Sequence, residues 1–128
     1  MNLIALDPGR KRVGVAVSHG IMAEAFAVLE FDIKKLESFA VYLNKIIDEQ
    51  KIGKIIVGLP LGRDGAETDQ TRFSEEFARK LKKYINLPFE MVEESYSTSS
   101  ASENGAKKED VDSEAAKIIL EQYLNENS

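Results

Sequence analysis

The run Leu3-Ile4-Ala5-Leu6-Asp7-Pro8-Gly9-Arg10-Lys11-Arg12-Val13-Gly14-Val15-Ala16-Val17 constrains this chain more than any other stretch. It reads as strand, turn, strand. Asp-Pro-Gly favours a chain reversal, because Pro8 fixes φ and Gly9 tolerates positive φ at no steric cost. No polar residue interrupts Leu3 to Leu6, which predicts a strand buried on both faces, as at the centre of a mixed sheet. A carboxylate at the C-terminal end of such a strand stands where open α/β sheets bind ligands. The plain alternative makes Asp7 a turn former only. The adjoining cations Arg10-Lys11-Arg12 and the acids further along weigh against that alternative.

Downstream, Ser18-His19-Gly20 reads as a turn and Ala25-Phe26-Ala27-Val28-Leu29-Glu30-Phe31 as a third strand. His19, the one histidine, is expected to be a solvated loop residue. Leu36, Phe39, Ala40, Leu43, Ile46 and Ile47 recur at intervals of three and four, the signature of an amphipathic helix, and Gly53 is placed to help end it. Ile55-Ile56-Val57-Gly58-Leu59-Pro60 is a short apolar run, hence a buried strand, with Pro60 as its stop. Strand, helix, strand in that order implies a right-handed crossover and a parallel pairing. A loop follows at Leu61-Gly62-Arg63-Asp64-Gly65. A second helix then turns Phe73, Phe77, Ala78, Leu81, Tyr84 and Ile85 to one side. Leu87 to Val92 alternates as a strand, and Pro88 at its start suits a sheet edge. Ser97 to Asn104 reads as a short helix at best. The last helix begins near Asp110 or Asp112, with Val111, Ala115, Ile119, Leu120 and Tyr123 or Leu124 inward.

The 128 residues fit one domain, 1–128, with enough chain for a real core. No cysteine is present, which excludes disulfides and thiolate metal sites. The first apolar run is too short for a signal peptide and none approaches the roughly 20 residues of a membrane span. A cytoplasmic protein is therefore expected, with no membrane partner. A net charge of −5 argues mildly against nucleic acid, but clustered cations on one face would override it.

Three acidic features fall near one edge of the implied sheet. Asp7 ends the first strand, Glu93 and Glu94 end the last, and Asp112 lies in the first turn of the final helix. Strand parity leaves open which of Glu93 and Glu94 points toward Asp7. Each acid has a plainer role: Asp112 would cap a helix and the glutamates would be solvated. Converging carboxylates, however, repel unless a cation lies between them. Oxygen donors without His or Cys suit Mg²⁺ or Mn²⁺. Two such ions can activate water and stabilise a leaving oxygen in phosphoryl displacement. Arg10, Lys11, Arg12, Arg63, Lys107 and Lys108 would then hold the flanking phosphates.

Four motifs carry a family resemblance. Asp7-Pro-Gly-x-Lys11-Arg12-x-Gly14-Val-Ala-Val-Ser18 resembles the opening motif of the YqgF (RuvX) family. Val57-Gly58-Leu59-Pro60-Leu61 with Asp64-Gly65 is similar to its second, Glu93-Glu94-Ser95-Tyr96-Ser97-Thr98 to its third, and Val111-Asp112-x-x-Ala115-Ala116-x-x-Ile119-Leu120 to its fourth. The resemblance implies an RNase H-like α/β fold, a five-stranded mixed sheet with helices on both faces. It also implies that Asp7, Glu94 and Asp112 are catalytic, metal-binding acids, and that Lys11, Arg12, Ser97 and Thr98 contact substrate. Departures fall on the phosphate grip. Ser95 stands where the family has arginine, removing a bidentate donor, and Glu93 replaces an aspartate.

The reading that follows is a metal-dependent nuclease for structured RNA, with 5′-end maturation of pre-16S rRNA as its expected task. The alternative in the same class resolves branched DNA and needs a dimer with paired sites. No exposed apolar helix face beyond the core ones is evident, so a monomer or weak homodimer is expected. A non-catalytic ribosome-binding module is the rival of a different class. An actin-like ATP-handling fragment is a poor fit, because 128 residues cannot supply two lobes.

Overall fold

The computed structural model describes residues 1–95 and 108–127, and the side chains of Ser95 and of residues 108–112 lie outside that description. Among the described residues, five strands and three α-helices follow in the order β1 (Asn2–Pro8), β2 (Arg12–His19), β3 (Met22–Glu30), α1 (Leu36–Gln50), β4 (Ile52–Leu61), α2 (Asp69–Leu81), β5 (Phe89–Ser95) and α3 (Lys108–Glu126). The sheet order is β3-β2-β1-β4-β5. β1 pairs antiparallel with β2, and β2 with β3, while β1–β4 and β4–β5 are parallel. The expected mixed sheet is present, with β5 at its edge. The segment 96–107 holds the serine-rich stretch, so Ser97, Thr98 and Lys107 lie outside the described residues.

Alternation along the strands divides the core in two. Ile4, Leu6, Val13, Val15, Val17, Ile55 and Val57 face one way and pack against α1 and α2. Leu3, Ala5, Ala16 and Ile56 face the other way and pack against α3. The six apolar positions read from α1 are its six buried residues. Phe31, just past β3, sets its ring edge-on to Phe39 at 5.1 Å and to Phe77 at 5.2 Å, joining both helices to the strand end.

Element ends depart from expectation, each for a local reason. His19 pairs with Met22, so Ser18 and His19 belong to β2, and the turn is Gly20-Ile21. Gly20 holds φ 75°, the left-handed conformation that glycine adopts freely. β3 accordingly starts earlier than Ala25 and stops before Phe31. α1 ends at Lys51, itself left-handed, and Gly53 lies inside β4. Pro60 does not stop β4, because Leu61 still pairs with Ser95 on the edge strand. Tyr84 lies beyond α2 and is exposed, whereas Ile85 is buried. α3 begins at Lys108, which makes Asp112 a second-turn residue and not a cap.

Two contacts lock the start of α2 to the sheet's C-terminal edge. Thr68 and Thr71 form a reciprocal capping box, with Thr71 N donating to Thr68 Oγ1 at 3.2 Å. Thr71 Oγ1 donates in turn to the Pro60 carbonyl, and Gln70 Nε2 donates to the Pro8 carbonyl at 2.8 Å. At the opposite edge Lys54 Nζ donates to Glu90 Oε1 at 2.7 Å and to Tyr123 Oη at 2.8 Å, fastening the C-terminal half of α3. The hydrogen bond to Glu90, then that to Tyr123, raises the Lys54 pKa above its ordinary value. No described helix is long and apolar enough to cross a membrane.

Candidate active site at the C-terminal edge of the sheet

The turn between β1 and β2 is closed by Gly9 N donating to the Arg12 carbonyl at 2.8 Å. A Cβ on Gly9 would stand 2.6 Å from that oxygen, so glycine is required for close approach. Positive φ, the reason expected from sequence, is not used there. This tight turn ends β1 with Asp7 at the edge of the sheet, half-buried.

Register decides which acids share a face. Leu3 and Ala5 look toward α3, so Asp7, two residues on, does as well. On β5, Met91 packs on the α1–α2 side and Val92 on the α3 side. Glu93 therefore continues the first side and is exposed, while Glu94 continues the second and is only 6% exposed. Glu94 and Asp7 share the α3 face; Glu93 does not. On α3, Ala115, Ala116 and Ile119 are buried against the sheet. Asp112 precedes them by one and two helical turns, which puts its backbone position on the same stripe.

The strand positions flanking Asp7 on its face are glycines. The register partner of Asp7 on β2 is Gly14, and on β4 Gly58 follows Val57, the partner of Leu6. Both glycines fall on the α3 face by alternation, so neither flanking strand sends a side chain of its own up beside Asp7. Gly58 also lets α3 come close, because a Cβ there would collide with Ile119 Cδ1. The sequence singled out neither glycine as functional. A glycine inside the apolar run of β4 was the available signal, since such a residue marks close approach of another group.

The donor set is all oxygen, which fits Mg²⁺ or Mn²⁺ and not a soft transition metal. Among the described side chains no group of three or more His, Asp or Glu is placed to hold a metal ion. The third expected acid, Asp112, has its side chain outside that description.

The expected phosphate contacts separate. Lys11 is exposed on the turn, and half-buried Arg12 falls on Asp7's face by alternation along β2. Arg63 is exposed in a 3₁₀ turn, Arg63–Gly65, just after β4. Arg10 instead lays its guanidinium 5.0 Å from the centre of the Phe73 ring on α2. His19 is exposed, as expected, with Nε2 3.0 Å from Gln50 Oε1.

Comparison with known proteins adds to this geometry. A family model described as "RuvX: Holliday junction resolvase" matches residues 1–126. A protein of Maridesulfovibrio salexigens named "Putative pre-16S rRNA nuclease" is 35% identical over 132 residues, covering 97% of this chain and 98% of that one. A protein of the same name from Buchnera aphidicola subsp. Baizongia pistaciae is 37% identical, covering 97% and 96%. Among solved structures, Thermus thermophilus RuvC in complex with a Holliday junction substrate superposes with a TM-score of 0.60 at 10% identity, over 99% of this chain and 95% of that one. That likeness concerns the fold.

Proposed function

We propose a function from one premise: this chain belongs to the RuvX, or Holliday junction resolvase, family, whose model covers residues 1–126. It is a nuclease, a hydrolase of phosphodiester bonds. Its substrate is precursor 16S rRNA, the RNA in the name of relatives at 35% and 37% identity, and the cut matures the 5′ end. Asp7, Glu94 and Asp112 hold Mg²⁺ or Mn²⁺. The observation that carries this reading is that Asp7 and buried Glu94 share the α3 face beside a glycine floor.

The bound ions would supply Lewis acidity and a water ionisable near neutral pH. The chain's own residues do the rest. Gly58 lets Ile119 bring α3, the helix that carries Asp112, close to the sheet beside Asp7. Lys11, Arg12 and Arg63 neutralise neighbouring phosphates and fix the register of the strand, without reading its sequence. Ser97 and Thr98, by the family resemblance, add hydroxyl donors. Ser95, in place of the family's arginine, contributes no charge to the phosphates, so binding is weaker than an arginine there would make it.

The test is cleavage of a precursor 16S rRNA 5′ fragment and of a four-way DNA junction, each with Mg²⁺ and with Mn²⁺. The RNA is expected to be cut. Asp7→Asn is expected to slow cutting by at least about 100-fold, corresponding to about 2.7 kcal/mol of transition-state stabilisation, with its melting temperature unchanged. Cutting of the junction alone would transfer the activity to branched DNA, the substrate in the family's description. No cutting of either would end the nuclease reading.

A further inference from the structure

We propose that the cleft between the end of β3 and the start of α1 is a subsite for single-stranded RNA flanking the cut, with Tyr42 stacking a base. The cleft has a volume of about 860 Å³, within the range of ligand-sized sites. One wall is Lys11 and Arg12 of the β1–β2 turn; the other is the start of α1, with Lys35 at its N-cap and Ser38 and Tyr42 beyond. Those three positions fall on one stripe of the helix, three and then four residues apart. The stripe therefore offers a cation, a hydroxyl and an aromatic ring in sequence along the cleft. Phe31 and Phe39, each 7% exposed, close the apolar floor.

Tyr42 is the informative residue. It is 54% exposed although it lies beside a core rich in phenylalanine. Packing does not need it there, and an exposed ring beside cations is what single-stranded nucleic acid recognition uses. Duplex RNA hides its base faces, so the ring selects an unpaired segment. Three cations and two carboxylates line the cleft, of which Arg12 and its register partner Glu30 fall by alternation on Asp7's face, so Lys11 and Lys35 stand against Asp32 within it. Of the two carboxylates, Asp32 accepts a hydrogen bond from Lys34 N at 3.0 Å and Glu30 is the register partner of Arg12. Exposed Lys11 and Lys35 are thus the charges turned toward a ligand.

Continuity with the acids fixes which strand this is. β2 runs antiparallel to β1, and β3 antiparallel to β2, so the end of β1, the start of β2 and the end of β3 lie at one edge of the sheet. A strand leaving Asp7 on the α3 face would pass over the end of the sheet at the Lys11–Arg12 turn to enter the cleft on the α1 face. The inference rests on the nuclease reading, and extends it by giving the enzyme a preference for a cut site next to an unpaired segment.

The chain has no tryptophan, so Tyr42→Trp introduces a single fluorescent reporter. Two RNA hairpins serve as probes, one blunt and one with a single-stranded extension. Quenching of the introduced indole's emission by the extended hairpin, at concentrations where the blunt one leaves it unchanged, is the expected result. Tyr42→Ala should weaken binding of the extended hairpin about 10-fold, as loss of one stacked base implies. Lys35→Glu should weaken it as well. Tyr84→Ala, at an exposed tyrosine outside the cleft, should not. Equal affinity of wild type and Tyr42→Ala for the extended hairpin, with cleavage intact, would overturn the subsite and leave the nuclease reading standing. Equal weakening by Tyr84→Ala would overturn it too. Wild-type protein that neither binds nor cuts RNA would remove both.

Discussion

On its α1–α2 face the sheet presents Ile4, Leu6, Val13, Val15, Val17, Ile55 and Val57; on its α3 face it presents Leu3 and Ile56 together with the small residues Ala5, Gly14, Ala16 and Gly58. The first face is covered by two helices and an edge-to-face cluster of phenylalanines. Among the described residues the second is covered by α3, whose own buried residues include Ala115 and Ala116. Large branched side chains bury more apolar surface per position, and so hold the fold. Small residues bury less, but they bring a helix close to the strands. Both described acids that the sequence nominated as metal ligands, Asp7 and Glu94, lie on the small-residue face. The division teaches that the larger apolar core and the two proposed metal ligands lie on opposite sides of the same five strands, and substitutions should separate them.

The largest effect is expected on the packed face. Phe77 is fully buried and touches two other phenylalanine rings. Phe77→Ala should cost about 3–5 kcal/mol in urea unfolding, while cleavage per folded molecule stays near wild type. Loss of cleavage in the folded fraction would break the division. Next in size is Glu94→Gln, expected to lower cleavage about 100-fold, equivalent to about 2.7 kcal/mol, with unfolding little changed. Its neighbour supplies the contrast: Glu93→Gln should leave the rate within about twofold, because the side chain lies on the other face and is exposed. Equal effects at 93 and 94 would show that the strand end does not keep the alternation that Met91 and Val92 establish.

That alternation marks where the sequence was legible and where it was not. Periods of three to four residues identified all six buried positions of α1, because a helix buries a stripe that repeats within one segment. The mixed sheet was legible from the order of strands and helices. The ends of elements were not. Lys51 adopts a left-handed conformation that sequence assigns to glycine, and Pro60 stays in β4 because its neighbours still pair with the edge strand. At the site, the acids were legible as residue types, but the choice between Glu93 and Glu94 depends on pairing with β4, a contact with residues some thirty positions away. The glycine floor was illegible for the same reason: Gly58 has meaning only once Ile119, from the other end of the chain, is laid over it.

An effect smaller than that of Phe77→Ala is expected where that last contact is tested. Gly58→Ala adds one methyl group where Ile119 Cδ1 now sits, and Ile119 is fully buried, so helix α3 or the isoleucine must yield. Overpacking of this kind costs about 1–3 kcal/mol. On the packed face an equal loss would leave cleavage unaffected, as Phe77→Ala is expected to do. Here α3 also carries Asp112, so cleavage should fall by more than the unfolded fraction accounts for. Ile119→Val removes the Cδ1 atom itself and alone should cost about 0.5–1.5 kcal/mol. Combined, the two substitutions should be less damaging than their sum, in both unfolding and cleavage, because each relieves the defect of the other. Strict additivity would mean that Gly58 and Ile119 do not set the height of α3 above the sheet, and the small-residue face would lose its claim to position the acids.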